Sequence, residues 1–331
     1  MIRRNAFPWG LATLLAGFAA AMAAVTPLDY AWTLVLIDHR WDAAVAFLRR
    51  TVFEGSALGA SDLPVFGLLA LFALYAQVTS RRAIPALLGF RSWLGFILVA
   101  TLASGLGVVH TLKWIVGRAR PYEVLGEGHL PFTPWYVPGP HFVTEGIYRG
   151  SFPSGHTAAA FAFIALAYAL AGDPLLTRRW RLSGWGVGAG ALLFSVAMAI
   201  GSAMARSHWL SDAVAVTGLV WILVHVLYFW GLRVPDQRRY WQAHGALPQP
   251  PGRWELRLCL LGFPVLLGTI AVGLGLRALA LQAVPYLAAL VPLGLGLVAG
   301  FALRAWALLS VLHGTLRDRM PSACARRNQN R

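Results

Sequence analysis

The sequence is short of charge, of cysteine and of lysine, and each shortage narrows what the protein is. Only 12% of its 331 residues are Asp, Glu, Lys or Arg, about half the roughly 25% usual for soluble domains, while 58% are hydrophobic. With a mean hydropathy of +0.61, this composition does not fit a water-soluble globule. The two cysteines, Cys259 in an apolar run and Cys324 in a basic tail, give no disulfide framework and no metal-ligand spacing. No H-E-x-x-H, C-x-x-C, Walker or G-x-G-x-x-G pattern occurs, so no metal and no other cofactor is implied. Internal repeats and domain-sized disordered linkers are also lacking. Of the 28 basic residues only one, Lys113, is lysine. The net charge of +15 is spread over short loops between apolar runs rather than gathered on one solvated face, which argues against a nucleic-acid partner.

What the sequence does have is apolar runs of bilayer length, about 20 residues each. Eight are found, at approximately 7–25, 63–79, 93–112, 156–172, 185–205, 213–232, 258–276 and 284–303. The expected fold class is an all-α polytopic membrane protein. Residues 30–52 lie between the first two runs, with Trp41, Val45 and Leu48 on one helical face opposite Arg40 and Asp42, the pattern of a helix lying in the membrane interface. A stretch rich in Pro, Gln and Arg at 235–257 divides six spans from two, giving the segments 1–233, 234–257 (a cytoplasmic linker), 258–312 (an additional pair of spans) and 313–331 (a basic tail). Gly296 and Gly300 form a G-x-x-x-G pair of the kind that packs helices closely, although 34 glycines make such a pair expected by chance.

Basic residues collect in cytoplasmic loops. With the N-terminus inside, 19 of the 28 fall on cytoplasmic ends and loops. Both termini are then cytoplasmic, and the loops after 112 and after 205 face outward. Arg3 and Arg4 followed by LATLLAGFAAAMAAV also resemble a cleaved signal peptide, but the apolar stretch exceeds the usual 7–15 residues, so a retained span is expected.

Titratable groups at membrane depth are costly and therefore candidates for function. Three clusters fall on the outer side. The first is KWIVGRARP, residues 113–121. Two helical turns would put Lys113 and Arg120 on one face, only approximately because Pro121 disfavours helix at Arg120. A lysine with arginines suits an anion with several oxygens, one as a point charge and the other as a fork; the alternative is snorkelling anchors at the interface, most apt for Arg118. The second cluster is SFPSGHTAA, residues 151–159. Pro153 suits a first helical turn, and Ser154 and Gly155 leave backbone N–H groups free at a helix N-terminus, where phosphate is favoured. His156 beside that anion is placed to protonate a leaving oxygen; the alternative is a helix cap with an incidental histidine. The third is RSHWLSDAV, residues 206–214. His208 and Asp212 are one helical turn apart, so the carboxylate can fix the tautomer of an imidazole that attacks phosphorus, or the pair is structural.

In order and between spans, K-x6-R-P, P-S-G-H and H-x3-D closely resemble the motifs of the type 2 phosphatidic acid phosphatase superfamily, over about residues 60–232. The resemblance implies a six-helix phosphatase core in the membrane, a site facing outward that needs no metal or other cofactor, and a phosphohistidine intermediate that water hydrolyses. It implies His208 as nucleophile, Asp212 as its partner and His156 as general acid, with Lys113, Arg120, Ser154 and Gly155 as the phosphate cradle. One departure stands out: the family's third motif has an arginine six residues before the histidine, and here that position is Ser202, preceded by Gly201. Arg206 and Arg118 are the candidates to replace it. The implied function is a lipid phosphate phosphatase in the bacterial inner membrane, its site facing the periplasm and its partners the bilayer and a lipid phosphate; lipid identity and oligomeric state stay open. A phosphotransferase of the same fold, or an impaired transporter or lipid-binding relative, is the alternative.

Among the other histidines, His110 lies one turn before Lys113, either near the site or bonded to a neighbouring helix, and His225 lies mid-span. His39, His129, His141, His244 and His313 are expected to be solvated. The stretch 122–152, with Trp135, Tyr136 and several prolines, is long for a structureless loop and reads either as a cap over the site or as a plain surface loop.

Overall fold

The structure, a computed structural model, describes residues 6–48, 62–80, 82–126, 129–145, 150–246, 253–282 and 284–318. Among these residues every regular element is helical. In chain order the α-helices are α1 (Ala6–Val25), α2 (Asp29–Asp38), α3 (Asp42–Ala46), α4 (Asp62–Val78), α5 (Pro85–Leu88), α6 (Arg91–Leu102), α7 (Thr111–Val116), α8 (Pro121–Leu125), α9 (Gly155–Phe161), α10 (Ile164–Gly172), α11 (Arg178–Met204), α12 (Leu210–Val226), α13 (Val234–His244), α14 (Trp254–Ala280) and α15 (Leu290–Asp318). Wider π-helical turns join α6 to α7 over Ala103–His110 and extend α12 over Leu227–Gly231. Such turns often mark functional sites, and the first of them ends one residue before the helix that carries Lys113.

Seven helical stretches among the described residues are long and apolar enough to cross a membrane, and Phe66–Val78 in α4 is a shorter apolar helix. All eight apolar runs of the sequence therefore fall on helices. Hydrophobic side chains face both inward and outward, as expected where lipid replaces water: Phe96, Phe161, Val216, Val220, Tyr228, Leu312 and Leu316 are fully buried between helices, whereas Leu193, Leu260 and Leu303 are exposed.

Of the segment expected at the interface, residues 30–38 continue the first span as α2, whereas Trp41 and Val45 belong to the separate short helix α3 and its N-cap. Trp9–Asp38 forms one apolar helical stretch, α3 follows with Val45 buried and Trp41 exposed, and Asp29 is buried; residues 49–52 lie outside the described residues. α1 packs along α12, with the Phe18 ring against Gly218 and the His225 ring against Gly10. The segment read as a linker contains α13, where Arg238 is buried and ion-paired with Asp173 at 2.6 Å; only 247–252 of it lie outside the described residues. α15 extends through Asp318, well into the segment read as a tail, of which 319–331, with Cys324, lie outside the described residues. The Gly296 and Gly300 pair meets open space, whereas Gly268 of α14 and Gly294 of α15 cross backbone against backbone. Close packing of the C-terminal pair thus uses a different glycine from the one the motif suggested.

Candidate active site

Local chain chemistry explains how three separate segments meet. α7 carries Lys113 and ends at Gly117, whose φ of 58° is left-handed. Only glycine fits there, because a Cβ would run into the carbonyl of His141. The turn lets residues 118–120 run extended into α8, with the Arg120 N–H donating to the N3 carboxylate of Glu123 at 2.8 Å. Lys113 and Arg120 therefore come together around a tight reversal, not along one helical face.

The loop before α9 lies against this reversal. Gly139 N–H donates to the Val116 carbonyl at 2.8 Å, His141 N–H to Gly117 at 3.0 Å, and Ser151 N–H to Arg118 at 2.7 Å. Lys113, buried with 6% of its surface exposed, donates from Nζ to the Gly150 carbonyl at 2.9 Å. Ser154, fully buried, is the N-cap of α9; its Oγ accepts from Thr157 N at 3.3 Å and Thr157 Oγ1 at 2.9 Å. Gly155 is the first helical residue. Pro153 precedes the cap instead of occupying the first turn, since Ser154 takes the half-in position.

α12 begins with a reciprocal cap: the Trp209 N–H donates to Asp212 Oδ2 at 2.9 Å. His208 lies just before the helix, so its proximity to Asp212 comes from this capping turn and not from helical spacing. His208 Nδ1 is 2.7 Å from the Ser151 carbonyl and 3.6 Å from Asp212 Oδ2. A carbonyl only accepts, so Nδ1 carries the proton and Nε2 keeps its lone pair. The orienting partner is thus the Ser151 backbone, a residue the sequence motifs did not mark for this role, and Asp212 acts at a distance through its charge. Burial pushes the His208 imidazole down to about 3; Lys113 and Arg120 push the same way against Asp212. The His156 ring sits edge-on to it with centroids 6.1 Å apart.

Arg118 has a task different from phosphate binding. It is fully buried; Nε donates to the Thr133 carbonyl at 2.7 Å, one terminal nitrogen to Ser211 Oγ at 2.8 Å and Asp212 Oδ1 at 2.7 Å, and the other to Asp29 Oδ2 at 2.8 Å. Phe132 and Trp209 flank the guanidinium, with centroids 5.2 and 5.4 Å away. Arg206 is exposed, has a left-handed φ of 56°, and offers its backbone carbonyl to Tyr122 N–H at 3.1 Å. The Arg118 guanidinium is thus taken up by other partners, and Ser202 is itself buried at the end of α11, its carbonyl accepting the N–H groups of Ser207 and His208 at 3.0 and 3.4 Å.

Two contacts come from outside the three motifs. Asp29 reaches in from the N-terminal helices, and Arg277 of α14 reaches from the C-terminal pair to the Ile115 carbonyl at 2.9 Å and to that of Gly139, its guanidinium 4.0 Å from the Phe142 ring centre. A buried charge in an apolar helix was the only available signal for either. The stretch 122–152 behaves as a cap where it is described: Trp135 Nε1 donates to Thr26 Oγ1 at 2.9 Å and its ring stacks near Phe152. Residues 127–128 and 146–149 lie outside the described residues.

Two histidines expected to be solvated are not. His141 is buried between Glu123 and Glu145, at 3.1 and 2.9 Å, and His313 Nε2 is 3.0 Å from the Gly231 carbonyl. His39, His129 and His244 are exposed. His110 packs against Trp114, and His225 is buried with Nδ1 3.1 Å from Tyr168 Oη.

A neutral imidazole with a directed lone pair, a second imidazole beside it, and a lysine and an arginine whose charges bear on it form an arrangement suited to phosphoryl transfer. Residues 94–235 match the model of the PAP2 superfamily, which is consistent with the type 2 phosphatidic acid phosphatase resemblance of the three motifs. Members of that superfamily are mostly phosphatases. Comparisons with curated proteins and with solved structures gave no match. Asp29 and Arg277 lie outside the matched residues.

Proposed function

We propose that this integral membrane protein hydrolyses a phosphomonoester or diphosphate headgroup of a lipid through a phosphohistidine. The observation that carries the reading is the hydrogen bond from His208 Nδ1 to the Ser151 carbonyl, which leaves Nε2 as a neutral nucleophile with Lys113 and Arg120 close enough to bear on its charge.

In the first half-reaction the Nε2 lone pair forms an N–P bond, the bond from phosphorus to the lipid oxygen breaks, and His156 donates a proton to that oxygen. In the second, water attacks phosphorus, giving its proton to His156; the N–P bond breaks and Nε2 regains its lone pair. Lys113, Arg120, Ser154 and the backbone at Gly155 hold the phosphoryl oxygens, and Asp212 offsets the positive charge that the imidazole gains. With both termini cytoplasmic, the site faces the periplasm, where an outer-leaflet headgroup lies. The absent arginine at Ser202 predicts a slower enzyme, since one missing donor in such a site costs about 10²–10³ in kcat.

The test is phosphate release from a panel of lipid phosphates by purified protein and by His208→Ala. Wild-type release that disappears in the variant is expected; equal release by both would remove the reading. Labelled donor supplied with an acceptor lipid separates hydrolysis, which yields free phosphate, from transfer, which yields a labelled second lipid.

A further inference from the structure

The proposed chemistry uses residues of the matched region, yet the charge beside the nucleophile is completed from outside it. Asp29 is 1% exposed and all its acceptor capacity points at one place: Oδ1 takes the Ser211 N–H at 2.9 Å, and Oδ2 takes Ser211 Oγ at 2.5 Å and the Arg118 guanidinium at 2.8 Å. The other terminal nitrogen of Arg118 holds Asp212 Oδ1, while Asp212 Oδ2 caps Trp209 and faces His208 Nδ1 at 3.6 Å. A chain of contacts thus runs Asp29, Arg118, Asp212, His208.

Two carboxylates around one guanidinium leave a formal charge of minus one beside the imidazole. Arg118 alone with Asp212 would leave none. The preferred geometry of such a pair is a two-pronged fork, which would draw both Asp212 oxygens toward Arg118 and away from Trp209 and His208. Asp29 occupies the second prong and prevents this. A buried carboxylate is costly, and its position here has a direct electrostatic consequence at the nucleophile.

We propose that Asp29 is a positioning residue for phosphoryl transfer: by holding one side of Arg118 it keeps Asp212 turned to His208 and keeps a net negative charge there to stabilise the phosphorylated imidazole. The inference rests on the proposed phosphohistidine reaction. Asp29→Asn keeps the shape and the acceptor for the Ser211 N–H but removes the charge, so the N–P bond forms more slowly and, once formed, breaks more readily.

The experiment first requires lipid phosphatase activity in the wild type and its loss in His208→Ala; failure there removes the reaction, not the role of Asp29 alone. Rapid-quench measurements with labelled substrate then compare wild type, Asp29→Asn and Asp29→Glu, each checked for folding by thermal melting in detergent. For Asp29→Asn, phosphoenzyme formation about tenfold slower, with an unchanged substrate dissociation constant read from the concentration dependence of the single-turnover rate, and faster phosphoenzyme breakdown, is expected. Slowing of both steps together, or weaker substrate binding with both steps unchanged, would overturn the assignment, because loss of packing alone gives no reason for the two steps to move in opposite directions. Asp29→Glu restores the charge at a shifted position and is expected to restore phosphoenzyme lifetime while forming it more slowly than wild type. If Asp29→Asn does not fold, Asp29→Glu decides alone: wild-type formation rates would overturn the proposal and slowed formation at an unchanged substrate dissociation constant would support it. A double-mutant cycle with Asp212→Asn closes the test: the losses are expected to overlap, and full additivity would count against coupling through Asp212.

Discussion

At the scale of single residues, two neighbouring cations of one motif have different duties. Arg118 is wrapped by Asp29, Asp212, Ser211 and the Thr133 carbonyl, whereas Lys113 has a backbone carbonyl as its hydrogen-bond partner. Removing one partner of a buried ionic group leaves uncompensated charge and costs about 3–5 kcal/mol. Arg118→Met is therefore expected to lower the melting temperature sharply, and Lys113→Met to lower it far less while abolishing turnover; thermal melting beside phosphate release distinguishes them. His208 supplies a second expectation. Its ordinary value near 6.5 is pushed down to about 3 in the fold, so between those values the unfolded chain binds the extra proton and the folded one does not. Stability is then complete above about pH 6.5 and falls as pH drops toward 3. Melting curves across that range should flatten in His208→Asn relative to the wild type. The charges of these residues were legible in the sequence, but the division of labour was not. A guanidinium pointing at a phosphate and one pointing at two carboxylates look alike until Asp29, 89 positions away, is seen to fold back onto it.

At the scale of elements, the site depends on short caps and reversals more than on long helices. The apolar runs told where α6, α11 and α12 lie, since burial in lipid demands continuous helical hydrogen bonding. They did not tell that His208 precedes α12, or that Pro153 precedes α9, because capping shifts a boundary by a residue or two with no trace in hydropathy. The reversal at Gly117 is the sharpest test of this dependence. Gly117→Ala introduces a Cβ at a φ of 58° directly against the His141 carbonyl, which is expected to cost about 1–3 kcal/mol and to separate Lys113 from Arg120. Loss of turnover with helical content preserved by circular dichroism would support the account; wild-type turnover would contradict it. Arg277 braces the same reversal from α14 by holding the Ile115 and Gly139 carbonyls. Arg277→Ala should speed hydrogen exchange in residues 134–142 while leaving α12 protected. The C-terminal helices, for which the motifs offered no chemical role, thereby gain a mechanical one.

At the scale of the whole molecule, the described residues form a helical core with α1 and α2 on one part of it and α14 and α15 on another. α14 is fastened at its beginning as well as near its end: Glu255, 2% exposed, accepts from Tyr75 Oη at 2.8 Å and lies 3.4 Å from Arg91. The buried polar ties of the C-terminal pair therefore occur at both ends of one span, Arg277 at the level of the candidate site and Glu255 at the opposite level. That placement agrees with the charge distribution, because Glu255 pairs with Arg91 and belongs to the side whose ends and loops carry 19 of the 28 basic residues, against nine in the outward loops. The positive-inside rule counts such short loops and assigns the Glu255 level to the cytoplasm. Accessibility of two exposed positions tests it in a background lacking Cys259 and Cys324: Tyr136→Cys in the cap over the site and His244→Cys at the end of α13, both exposed. A membrane-impermeant maleimide added to intact cells is expected to label the first and not the second, and permeabilisation should expose the second. Labelling of His244→Cys in intact cells, with Tyr136→Cys protected, would invert the protein in the membrane and place the phosphate site on the cytoplasmic leaflet, changing which pool of lipid it meets.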